Sequence, residues 1–167
     1  MNVRTVVIGL GNPLMGDDGA GLAALDRLRT GWSLEDVDLV DGGTWGMSLL
    51  PVIEDAERLV LLDAIKAGAA AGEIVVLERD RLPIYLSRKL SPHEVDLRDV
   101  LALAELRGTL PSETVAIGVQ PAVVELGTEL SPVVDAALEP LVQAVVARLE
   151  RWGHRCSPLQ AEVACTR

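Results

Sequence analysis

The sequence predicts an α/β fold, a three-layer αβα sandwich around a mostly parallel five-stranded sheet. Two observations carry this. Short aliphatic runs recur as continuous blocks rather than alternating with polar residues, the mark of strands covered on both faces. Stretches with apolar residues at helical spacing separate them. The core must be aliphatic, because the 167 residues are 49% hydrophobic yet include three Trp, one Tyr and no Phe. A chain of this length buries roughly 70% of the surface its unfolded form exposes, so it needs no disulfide or metal merely to fold. A mean hydropathy of +0.30 excludes disorder.

Thr5-Val6-Val7-Ile8, closed by Gly9, is the first strand. A glycine-containing loop over residues 10–16 leads to a helix that starts near Asp17 or Asp18 and runs to about Arg29, with Leu22, Leu25 and Leu28 on one face. Residues 37–40 are the second strand, ending at Asp41-Gly42-Gly43-Thr44, and residues 45–56 form a helix interrupted or started by Pro51. Residues 59–62, 74–77 and 115–119 are the remaining strands. Ser91-Pro92-His93-Glu94 reads as a capping box, Ser at N-cap and Glu at N3, opening a helix through Leu97, Val100, Leu101 and Ala104. A last helix runs from Ser131-Pro132 to about Trp152 and stops at Gly153. Nothing divides residues 1–152, which read as one domain; residues 153–167 show no periodicity and read as a flexible tail.

Fifteen Lys and Arg against 25 Asp and Glu leave a net charge of −10. Such a surface repels phosphate backbones and anionic lipid heads, and few rings are available for base stacking, so nucleic acid is excluded as a partner. No apolar stretch approaches the roughly 20 residues that span a bilayer, and the apolar run near Met1 is too short for a signal peptide. Two cysteines, Cys156 and Cys165, make no disulfide framework. The expected compartment is the cytoplasm.

Ligands of open parallel sheets bind beyond the carboxyl ends of the strands. The polar residues just after strands are Asn12, Asp17 and Asp18, then Asp41, Asp63 and Gln120, with His93 entering ahead of its helix. The loop Gly9-Leu10-Gly11-Asn12-Pro13-Leu14 lacks the third glycine of a dinucleotide fingerprint and has no P-loop lysine. On a continuous α-helix Asp18 shares a face with Leu22 and Leu25 and points to the sheet edge, while Asp17 points away or caps the helix. Asp63 either binds a cation or accepts backbone amides in its turn. His93 is either a satisfied core residue or a neutral imidazole ligand, the form a helix N-terminus favours. Asp18, Asp63 and His93 together offer two oxygens and an imidazole, a set suited to a divalent transition ion rather than calcium.

Gly9-Leu10-Gly11-Asn12 followed by Asp17-Asp18, then Asp41-Gly42-Gly43-Thr44, Asp63-Ala64, Leu90-Ser91-Pro92-His93 and Gly118-Val119-Gln120-Pro121 resemble, in order and spacing, the motifs of the hydrogenase maturation endopeptidases. The resemblance covers roughly residues 3–150. It implies a protease that removes the C-terminal extension of a NiFe-hydrogenase large-subunit precursor after nickel insertion. It also implies a metal site of Asp18, Asp63 and His93, with Asp41 in the same cleft. The ion it implies is nickel carried by the substrate, though other divalent ions suit the same donors. Asp18, Asp63 and Asp41 are the catalytic candidates, with Asp41 serving as general base or substrate holder. Two other readings use the same residues: a non-catalytic metal-sensing assembly chaperone that docks on the precursor, and a small-molecule hydrolase with a carboxylate pair.

Overall fold

The computed structural model describes residues 3–43, 46–83 and 95–160. Seven strands are present among them: β1 (Thr5–Leu10), β2 (Trp32–Leu34), β3 (Val37–Gly43), β4 (Arg58–Ala64), β5 (Ile74–Leu77), β6 (Glu113–Val119) and β7 (Cys156–Pro158). Five of them form one sheet in the order β3-β1-β4-β6-β5. β1 runs parallel to both β3 and β4, β4 runs parallel to β6, and β5 is antiparallel to β6. The expected mostly parallel five-stranded sheet is therefore found, with one antiparallel edge.

β1 is buried along its whole length and β4 from Leu59 onward, which is why both read as unbroken aliphatic runs. Alternate residues face opposite layers. Val7, Val60, Leu62, Val115 and Ile117 pack under α1 (Ala20–Gly31) and α4 (Pro132–Arg151). Val6, Ile8, Leu59, Leu61 and Ala116 face α2 (Leu50–Asp55) and α3 (Val95–Leu106). Leu97, Val100, Leu101 and Ala104 are buried as their spacing predicts. The capping box proposed at Ser91 lies outside the described residues. Each fully buried Leu or Ile contributes about 1.5–3 kcal/mol over its exposed form, so the two aliphatic layers supply most of the driving force.

Four elements differ from expectation: two helix starts and the short strands β2 and β7. The predicted starts of the first two helices are single 3-10 turns, Gly16–Gly19 before α1 and Gly46–Leu49 before α2. The segment after α4 holds regular structure as well: β7 pairs antiparallel with β2, Trp32 opposite Pro158 and Leu34 opposite Cys156, and the amide of Leu159 donates to the Gly31 carbonyl at 2.8 Å. His154 places Nε2 2.8 Å from Thr5 Oγ1 and Nδ1 3.1 Å from the Glu35 carbonyl. A three-residue strand leaves no period to read, so only its partner reveals it.

No helix among the described residues is long and apolar enough to cross a membrane. The chain leaves β1 through α1 on one face to reach β3, then returns through α2 on the other face to β4. The crossovers thus diverge beside the carboxyl end of β1, which is where open α/β sheets bind their ligands.

Candidate active site

The loop that follows β1 folds back on itself. Gly11 has φ +118°, a conformation costly for a residue with a Cβ, and a Cβ there would lie 1.9 Å from the Asp18 carbonyl oxygen. The fold-back lets Asp18 Oδ2 accept the Asn12 amide at 2.8 Å. Asn12 Oδ1 accepts the Leu14 amide at 3.0 Å, and the Asn12 carbonyl accepts the Met15 amide at 3.1 Å. The Gly11 amide donates to the Gly43 carbonyl at 3.2 Å, tying the loop to the Asp41-Gly42-Gly43 end of β3.

Asp63 comes to the same place from β4. Its side chain is fully buried, and Oδ1 accepts the amide of Ala64 at 2.8 Å. A Cβ on Gly11 would stand 3.7 Å from that oxygen. The carboxylates of Asp18 and Asp63, 45 positions apart in sequence, therefore both reach residues 11–12 across the divergence of the crossovers. Gly21 permits this. A Cβ on it would lie 2.3 Å from the Leu62 carbonyl and 2.5 Å from that of Leu10, so α1 seats directly on the ends of β1 and β4.

Asp41 lies at the exposed carboxyl end of β3, opposite Gly9 of β1. Gln120, after β6, accepts the Ala67 and Ala69 amides on Oε1 at 2.8 and 3.2 Å, which holds the loop after β4 in place. His93 lies outside the described residues. Among the described residues, no group of three His, Cys, Asp or Glu side chains is placed to hold a metal. Two carboxylates that accept hydrogen bonds at a strand-end cleft can bind a cation, orient a polar substrate or activate water, and an imidazole would complete a facial donor set.

Asp17 departs from its expected place. It does not point away from the body of the protein but is fully buried. Its Oδ2 accepts the Ala122 and Val123 amides and the Ser131 hydroxyl, each at 2.8 Å, and its Oδ1 accepts the Ser131 amide at 2.7 Å. The physical reason is the 3-10 turn, whose three residues per turn shift the phase that an α-helix would set. Burial disfavours the ionised form, but the hydrogen bonds from Val123, Ser131 and Ala122 outweigh it and hold the carboxyl below its ordinary range. A signal for this was present in the sequence: residues 121–130 lack any period, and inward-facing amides in such a segment need an acceptor.

A family model for hydrogenase maturation proteases matches residues 24–148. The chain is 37% identical over 153 residues to the hydrogenase expression/formation protein HupD of Rhodobacter capsulatus, covering 90% of this chain and 73% of the relative. It is 34% identical over 161 residues to the hydrogenase 2 maturation protease of Escherichia coli, covering 95% and 98%. Among solved structures, the hydrogenase maturating endopeptidase HybD from E. coli superposes with a TM-score of 0.87 at 33% identity, covering 93% of this chain and 97% of that one. The HybD maturation protease from Thermococcus kodakarensis gives 0.72 at 30%, covering 87% and 99%. With the sandwich fold and these relatives in agreement, the chain belongs to the hydrogenase maturation protease family.

Proposed function

We propose that this protein cleaves the C-terminal extension from a NiFe-hydrogenase large-subunit precursor once nickel has been inserted, and that it recognises the nickel its substrate carries. The observation that carries the reading is the approach of Asp18, from the 3-10 turn before α1, and Asp63, from the end of β4, to one short loop. In this reading Asp18 and Asp63 with His93 hold the substrate's ion, and three protein ligands leave positions for the ligands the precursor itself supplies. Substrate-borne nickel then brings the scissile bond to the cleft and withdraws electron density from the groups bound to it. Asp41, exposed beside the cleft, either takes the proton of the attacking water or holds the extension in place. In this reading the protein works in the cytoplasm, the compartment its sequence leads one to expect.

The test is direct. Purified protein mixed with nickel-loaded precursor should shorten it, as read by intact mass, while precursor made without nickel should keep its full length. Cleavage of both forms alike would remove nickel recognition from the reading. Tight association without any shortening would replace the protease with an assembly sensor.

A further inference from the structure

Beside the carboxylates, the same rim carries an apolar ribbon. Leu14 is 56% exposed and Leu126 85%, with Val123 and Val124 exposed between them. The segments that bear them are joined: the Gly16 amide donates to the Gly127 carbonyl at 2.8 Å, Gly127 to Leu14 at 2.9 Å and Asp17 to Val123 at 3.0 Å. The four hydrogen bonds on the Asp17 carboxylate fix the ribbon beneath. Large apolar side chains gathered in a polar surface mark a place where another chain docks. A ribbon already fixed in shape loses little freedom when it binds.

Charge indicates the occupant. Glu125 and Glu129 are exposed on the ribbon. The two segments that make up the ribbon, residues 10–19 and 121–131, contain no Lys or Arg. Lys66, exposed after β4, is the nearest cation in sequence to Asp63. We infer that Leu14 and residues 122–129 form a docking strip for an extended, cationic segment of the precursor. Its apolar side chains lie on Leu14, Val123, Val124 and Leu126, and its positive charges face Glu125 and Glu129. The partner's identity rests on the function proposed above, while the strip and the chemistry it selects rest on the rim itself.

The experiment measures the binding of purified large-subunit precursor to the full chain at two salt concentrations, alongside cleavage kinetics. Leu126→Ser and Glu125→Lys should each raise Kd about tenfold or more, the size expected of anchoring contacts. KM should rise in step, with kcat little changed. Glu125→Lys should also flatten the dependence on salt. Leu106→Ser, an equally exposed leucine at the end of α3, should bind as the unaltered protein does. Unchanged Kd in both strip variants would overturn the strip, as would an equal loss in Leu106→Ser or no binding by the unaltered protein. Loss of self-association in Leu126→Ser without change in precursor affinity would overturn it in favour of a second copy of this chain. Binding without cleavage would overturn the proteolytic reading alone, and the strip would stand or fall on the Kd values of its variants.

Discussion

Asp17 and Ser131 are 114 positions apart, yet Ser131 gives both its amide and its hydroxyl to the two oxygens of the one carboxylate, at 2.7 and 2.8 Å. The hydroxyl that would ordinarily cap α4 is spent on this bond instead, and Ser131 makes no side-chain cap. Replacing Asp17 by Asn keeps the shape but sets an amide group among four donors. It should cost about 2–4 kcal/mol in urea unfolding, because buried donors lose their acceptor.

The pH dependence of that loss has a definite sign. The carboxyl of Asp17 is held below its ordinary range in the folded protein, so its contribution is complete above the unfolded value near 3.8 and fades as pH falls through the folded one. Unfolding free energies of the unaltered protein and Asp17→Asn should therefore converge in acid and lie furthest apart near neutrality. A constant gap from pH 3 to 7 would show that shape, not charge, sets the cost.

At Gly21, a methyl group would meet the Leu62 and Leu10 carbonyls at 2.3 and 2.5 Å, with no flexible side chain to give way. Gly21→Ala should destabilise by about 1–3 kcal/mol despite alanine's better helix propensity, as overpacking does elsewhere. It should also lower processing, because α1 and the 3-10 turn that carries Asp18 would lift from the end of β4 that carries Asp63. Denaturant titration and precursor shortening, measured on one preparation, check both.

Asp18→Ala, Asp63→Asn and His93→Ala should each abolish precursor shortening, with the circular dichroism of the folded protein retained. The Asn at position 63 still accepts the Ala64 amide, so a loss there reports on charge and coordination rather than on the turn. Processing by Asp63→Asn at the unaltered rate would remove that carboxylate from the chemistry.

The β2–β7 pair lies at the amino end of β1, through His154 and Thr5, whereas Asp18 follows its carboxyl end. Six residues of strand separate them, roughly 20 Å. Ending the chain at Gly153 should lower the thermal midpoint by a few degrees and leave the processing rate of the folded protein unchanged. A fall in kcat would tie this end of the molecule to the cleft.

The legible part of the molecule was local. Residues 59–62 and 115–119 read as strands because both faces are covered, and Leu97 to Ala104 read as a buried stripe because four residues keep one phase. Asp18 and Asp63 stood out because strand ends collect ligands in this class of sheet. What escaped was set by distant partners. Asp17 depends on amides more than a hundred positions away, and β7 exists only because β2 offers it an edge. A 3-10 turn of four residues was enough to turn Asp17 inward.

The two aliphatic layers meet the sheet along its length, while the cleft and its neighbouring ribbon occupy connections at one end. Changes at Val124, Leu126 or Glu129 leave every interior layer undisturbed. On the docking role inferred above, substitutions at these few surface positions would change which partner binds while the scaffold and the carboxylates beside it stay as they are.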